Sequence, residues 1–251
     1  LNFKISETLY YTALKTSHDL ALQEGCYDLF GNSDHKKKVL QFDYYSDSAH
    51  RMKTYGRGLD WEDLKYKISK DGVRNSLLIG YPPTASTSQL LSTFVESFEP
   101  LYSNFYARDT GSGQFALLNP YLQELLEQKG LFNQSVIESI IENNGSVQHV
   151  NSLTDQEKAV FLTSFEMKMK PYLDLCIDRQ LFTDQSMPMN LFFKEPTFNL
   201  LTSSILYAHK KKLKTLLYYC KRRPLFETKK FSLGSASSKA KDDHDCVMCG
   251  S

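Results

Sequence analysis

Net charge, paired cysteines and long apolar runs are all scarce in this 251-residue sequence. Thirty basic side chains stand against 29 acidic ones, which leaves +1. Nucleic acid or an acidic membrane as main partner would favour a basic excess, so neither is expected. No apolar stretch approaches the roughly 20 residues of a membrane span, and no signal peptide opens the chain. The cysteines are Cys26, Cys176, Cys220, Cys246 and Cys249. An odd number, with three scattered among apolar neighbours, is not a disulfide framework and points to a reducing, cytoplasmic compartment. The sequons at Asn133 and Asn144 then read as chance. A starting methionine is also missing. Leu1 stands first, in what reads as a helix already under way, so a piece of a longer protein is expected.

What is present is ordinary for a folded protein: 41% hydrophobic, 13% aromatic and 24% charged residues. That composition excludes a largely disordered chain, and the length allows one large domain or two small ones. Tyr10, Ala13, Leu14 and Ala21 share one face of a helix predicted over 6–24 and stopped by Gly25. Residues 31–58 are polar and read as a surface excursion, with His35 to Lys38 as a solvated charge run. A helix over 60–71 ends at Gly72, and the apolar run Ser76-Leu77-Leu78-Ile79 reads as a strand covered on both faces. Asn119-Pro120 caps a helix that Gly130 stops, and Asn133 caps another that ends at Gly145. Thr154 to Glu157 is a capping box. The helix it opens carries Phe161, Phe165, Met169, Leu173 and Ile177, and Pro171 should kink or split it. Strands over 189–193 and 216–219 flank a helix over 197–212, whose last turn gathers Lys210, Lys211 and Lys212 where the macrodipole favours cations. Alternating strands and helices predict an α/β protein with parallel pairing. Residues 1–233 form the folded part. From 234 onward the sequence loses its large apolar residues and reads as a flexible tail, 234–251.

Three places could carry chemistry. Tyr81-Pro82-Pro83-Thr84-Ala85-Ser86-Thr87-Ser88-Gln89 follows the 76–79 run and opens a helix, with Ser86 and Gln89 spaced as a capping box. Free N–H groups, the dipole end and the hydroxyls of Thr84, Ser86 and Thr87 could bind a phosphate, and Ala85 would let the backbone come close. A well-capped helix that binds nothing is the competing reading. Tyr218-Tyr219 could pass an oxidising equivalent if the phenols touch. Adjacent strand residues point to opposite faces, however, so contact requires an irregular backbone or sharply turned side chains. A plain core strand is the alternative. The terminus carries Cys246-Val247-Met248-Cys249. That spacing suits a redox dithiol and half of a zinc site, although only His244 is at hand as a further ligand. Prenylation fails, because Met248 occupies the position fourth from the end. On a flexible tail the dithiol could exchange with a buried disulfide and swing out again, over a root-mean-square reach of roughly 19 Å and an extended limit of about 40 Å. Two incidental cysteines are the remaining possibility.

Taken together the segments resemble the C-terminal part of the large (α) subunits of class I ribonucleotide reductases, of the eukaryotic and viral type. The stretches that carry the likeness are Arg74 to Ile79, Pro83 to Thr87, Glu99-Pro100 with Ser103-Asn104, Asp184-Gln185-Ser186, Tyr218-Tyr219 with Arg223-Pro224, and the closing Cys-x-x-Cys-Gly-Ser. Trp61, Leu64, Gly72 and Asn75 also keep the family's spacing. The resemblance implies the last strands of a ten-stranded α/β barrel and the reduction of ribonucleoside diphosphates to 2′-deoxyribonucleoside diphosphates by radical chemistry, for DNA synthesis. It implies that Pro83, Thr84, Ala85, Ser86 and Thr87 hold the substrate diphosphate. Tyr218 and Tyr219 would transfer the radical, and Cys246 and Cys249 would exchange with thioredoxin or glutaredoxin and re-reduce the active-site disulfide. The implied partners are a small (β) subunit, which carries a tyrosyl radical beside a di-iron or other di-metal centre, and further copies of the large subunit. No cofactor is expected on this segment, and the ATP and deoxynucleotide effector sites belong to upstream sequence.

The sequence also departs from the family pattern. The Asn-x-Cys-x-Glu motif, whose cysteine becomes the thiyl radical, is absent, and Cys26, Cys176 and Cys220 sit in other contexts. Gly80 stands where alanine is usual, Asp109 follows Arg108 where a second arginine is common, and residues 46–58 form a longer stretch. The chain is therefore expected to lack catalytic activity alone. The rival expectation is a non-catalytic remnant, or a split-subunit piece, that binds reductase subunits.

Overall fold

A computed structural model describes residues 1–91, 95–110, 113–187 and 189–222. Helix α1 (Asn2–Glu24) starts four residues earlier than its apolar pattern indicates and ends at Gly25, whose φ of 81° suits glycine. Its inward residues Phe3, Tyr10 and Leu14 meet Trp61, Leu64 and Ile68 of α3 (Trp61–Asp71) in one core. Asp60 caps α3 by accepting from the Asp63 N–H. Leu181 and Phe182 close the same core, with Phe182 edge-on to Phe3 and stacked on Trp61.

The stretch 31–58 is not a plain surface excursion. It contains two 3₁₀ turns, Phe30–Asn32 and Gln41–Tyr44, and helix α2 (Ser48–Tyr55). Leu40, Phe42 and Tyr45 are buried in the first core. Isolated apolar residues among polar ones carry no period, and here each is inserted from a turn. The 76–79 run also departs from expectation, because among the described residues it pairs with no strand, and Leu77 lies exposed. Its backbone is held by Asp184, whose carboxylate accepts from Leu78 and Ile79 N–H at 2.8 Å each, while Ile79 O accepts from the N–H groups of Asp184 and Gln185.

Past the short helix α4 (Ala85–Leu90), strands β1 (Phe105–Thr110) and β2 (Gly113–Leu118) form an antiparallel hairpin absent from the sequence reading. Helices α5 (Pro120–Gln128) and α6 (Gln134–Glu142) form where Asn119 and Asn133 cap them. Leu122, Leu126, Ile137 and Ile140 make a second core. Helix α7 (Asp155–Val160) opens on the Thr154 capping box, with Glu157 answering from inside the first turn. The long helix expected from there is two helices, but the break falls over 161–168. Pro171 sits inside the first turn of α8 (Met169–Gln180), where its missing N–H has no intrahelical partner to lose.

A third core joins α8 to strand β3 (Met189–Phe193) and helix α9 (Phe198–Lys210), with Leu213 and Leu216 packed against it ahead of strand β4 (Leu217–Arg222). β3 and β4 are parallel, with α9 as the crossover that parallel pairing requires. All five residues of β3 are buried, whereas β4 is largely exposed. Among the described residues no helix is long and apolar enough to cross a membrane.

Candidate functional site

The site is built around an irregularity in the β3/β4 pair. Met189 is opposite Leu217 and Leu191 opposite Cys220, so between those pairs β3 advances by two residues and β4 by three. Asn190 alone faces Tyr218 and Tyr219. The extra residue is a β-bulge, which bends the strand and re-aims side chains. The tyrosine rings, which a regular strand would send to opposite faces, lie with centroids 4.4 Å apart at an interplanar angle of 62°, edge to face. Its hydrogen bond with Tyr218 favours the neutral Tyr219 phenol and pushes it up from its ordinary pKa. Both residues are 56% exposed. The irregular backbone that contact demands is therefore present.

A polar row lies behind the pair. Asn190, 5% exposed, accepts from the Tyr219 N–H at 3.1 Å through Oδ1 and donates through Nδ2 to Glu99 Oε1. The other Glu99 oxygen accepts from the Tyr102 hydroxyl at 3.2 Å, and Tyr102 in turn accepts from Lys221 Nζ on β4. Burial pushes the Glu99 carboxyl up, against the pull of Lys221 and Tyr102. Sequence reasoning singled out Glu99 only as part of a motif and missed Asn190, Tyr102 and Lys221. One signal was legible: Asn190 is the polar residue in the otherwise apolar run Met189 to Phe193.

The Pro83 to Thr87 stretch turns into α4 at Ala85, two residues before the first helical position that a Ser86 cap implies, so Ser86 lies within the first turn and the expected capping box does not form. Thr84 has φ 54°, in the left-handed region where a β-branched residue is strained by about 1–3 kcal/mol. Its surroundings hold it there. Oγ1 accepts from the Ser97 N–H and the carbonyl accepts from the Ser88 N–H, both at 2.8 Å. Pro83, Ser86 and Thr87 are exposed. An alanine at Gly80 would bring its Cβ 2.8 Å from Gln185 Oε1, the far end of a flexible side chain, so the departure there is a small one. The segment 97–102 touches both places, through Ser97 at Thr84 and through Glu99 and Tyr102 at the bulge.

Of the thiols, Cys220 is exposed on β4 beside Tyr219, and two others lie away from the pair. Cys26 donates to Asp71 O at 3.3 Å, and Cys176 is buried, which pushes its thiol up. Cys246, Cys249, Arg223 and Pro224 lie outside the described residues. Among the described residues no three His, Cys, Asp or Glu side chains gather as metal ligands would.

Comparison with known proteins identifies the family. The family model "Ribonucleotide reductase, barrel domain" matches residues 1–219. The chain is similar to the ribonucleoside-diphosphate reductase large chain of Encephalitozoon cuniculi, 37% identical over 257 residues, covering 100% of this chain and 33% of that one. It is 39% identical to the ribonucleoside-diphosphate reductase large subunit of Plasmodium falciparum, over 95% of this chain and 29% of that protein. Among solved structures, the class Id ribonucleotide reductase alpha subunit of Actinobacillus ureae aligns with a TM-score of 0.64 at 29% identity, covering 87% of this chain and 33% of that one. The chain thus spans about a third of the length of the curated relatives it matches. With a family model that matches from the first residue to Tyr219, the chain belongs to the ribonucleotide reductase barrel-domain family.

Proposed function

We propose that the chain is the C-terminal part of a ribonucleoside-diphosphate reductase large subunit, converting ribonucleoside diphosphates to 2′-deoxyribonucleoside diphosphates in the cytoplasm. The observation that carries this reading is the edge-to-face contact of Tyr218 and Tyr219. In the proposed relay Tyr219 gives one electron and its phenolic proton outward to a small subunit. It then recovers both from Tyr218, which takes them from a thiol on upstream sequence. Like any tyrosine the Tyr219 phenol is protonated near neutral pH, and its hydrogen bond with Tyr218 shifts it further the same way, so the electron has a proton to travel with. The oxidising equivalent would come from the small subunit's tyrosyl radical and di-iron or other di-metal centre.

Pro83, Thr84, Ala85, Ser86 and Thr87 are proposed to hold the substrate diphosphate. The start of α4 at Ala85 and the exposed Ser86 and Thr87 support this assignment. Cys246 and Cys249 are proposed as the dithiol that thioredoxin or glutaredoxin recharges. ATP and deoxynucleotide effectors and the homo-oligomer contacts are assigned to upstream sequence. The test is Tyr219→Phe in the full-length protein assayed with its small subunit. Turnover should fall below detection while nucleoside diphosphate binding stays intact, because phenylalanine has no proton to give. Normal turnover in that variant removes the relay.

A further inference from the structure

The structure assigns to Asn190 a task beyond filling its strand: held by Glu99, it is the positioning residue that seats the β4 bulge and so sets Tyr218 against Tyr219. This inference rests on the relay proposed above. A bulge leaves a backbone group without its ladder partner. Here the N–H of Tyr219 would be that group, and the Asn190 side chain supplies the acceptor at 3.1 Å. Asn190 sits in the position opposite both tyrosines, on the strand whose five residues are all buried. Its amide cannot turn over without loss, because Tyr219 N–H can only donate and an ionised Glu99 can only accept. One side chain must therefore offer an acceptor on one side and a donor on the other. Asparagine does so; alanine offers neither, and aspartate sets two carboxylates face to face.

The charge environment makes that last case testable. Glu99 is faced by Lys221 from β4, by Tyr102 and Glu96 from its own segment, and by Tyr172 and Cys176 from α8, with Arg179 beside those two. Burial already works against its ionised form. A second carboxyl at 190 should make the pair hold one proton to a higher pH than either group would alone. When that proton is present the pair is bridged and the bulge keeps its shape. When it leaves, the two groups repel and the support under Tyr219 is lost.

The experiment uses the full-length large subunit with its small subunit. Asn190→Asp should lower turnover by about tenfold to a hundredfold at about pH 8, with nucleoside diphosphate binding unchanged. Activity should return as the pH falls and the shared proton binds. Adding Glu99→Gln to Asn190→Asp exchanges donor and acceptor across the pair, and should restore turnover at the higher pH to within about threefold of the unsubstituted enzyme. A merely structural role would move binding and thermal stability together with turnover, without the pH recovery. Unchanged turnover of Asn190→Asp at the higher pH overturns the assignment, and so does a folded double variant that stays inactive. If the single variant does not fold, the double variant decides alone. Tyr219→Phe measured in parallel separates the two claims. If Tyr219→Phe is inactive while Asn190→Asp is normal, only the positioning role falls; if Tyr219→Phe is normal, the relay itself falls.

Discussion

Asn104 shows how much one buried amide can hold. It is 1% exposed, and its Nδ2 donates to Gly145 O at 2.9 Å and to Phe161 O at 2.7 Å, while its Oδ1 accepts from Asn119 Nδ2 at 2.9 Å. The end of α6, the end of α7 and the cap of α5 are thereby tied to the foot of the hairpin. Gly145 takes part by what it lacks: a Cβ there would fall 1.8 Å from Ser103 Oγ and 2.7 Å from the Asn104 nitrogen, and its φ is 76°. Asn104→Ala strands a donor and an acceptor away from water and should cost about 2–4 kcal/mol, read as an earlier midpoint in chemical denaturation. An unchanged midpoint would mean that water or a neighbour replaces the amide. Ser103-Asn104 marked the family in the sequence, but nothing in the sequence told which partners the amide would reach, because they lie 15, 41 and 57 residues away.

At the scale of elements, what was legible followed local chemistry. Asn119-Pro120, Asn133 and Thr154 announced α5, α6 and α7 because a cap satisfies N–H groups within three residues of itself. Thr154→Ala should destabilise the α7 start by about 1 kcal/mol, seen as faster amide exchange at Glu157 and Lys158. Unaltered exchange there would show that packing of Phe161, not the cap, fixes α7. What was not legible depended on distant partners. The 76–79 run reads as a strand, yet its hydrogen bonds go to Asp184, more than a hundred residues on. The break before α8, expected at Pro171, falls earlier, because Phe161 and Phe165 keep helical spacing while facing inward from a turn. The tyrosine contact was named as a possibility with its condition, an irregular backbone. The condition is met by a register shift, and register cannot be read from one strand alone.

On the scale of the whole molecule, three cores are linked by few elements, and the third ends on an unprotected edge. Among the described residues β4 pairs only with β3 and leaves Leu217, Tyr218 and Tyr219 open. Helix α9 adds exposed Phe198, Ile205 and Leu206. Open strand edges beside apolar surface recruit further strands. The isolated 251-residue chain should therefore self-associate in sedimentation experiments, and a monodisperse, cooperatively melting monomer would count against this.

The bulge in β4 also makes the tyrosine pair a matter of length. From Cys220 onward the strand is out of step by one residue with what a regular ladder from Leu217 would give. Removing either tyrosine would close the bulge and leave Cys220, Lys221 and Arg222 paired with Leu191, Phe192 and Phe193 as before, with a single tyrosine opposite Asn190. A substitution at 218 or 219 changes chemistry and keeps two side chains in the bulge, whereas a one-residue deletion removes their contact and leaves the pairs that follow unchanged. The bulge is thus a confined insertion: one extra residue decides whether two rings can meet, and the strand beyond it is indifferent to that count.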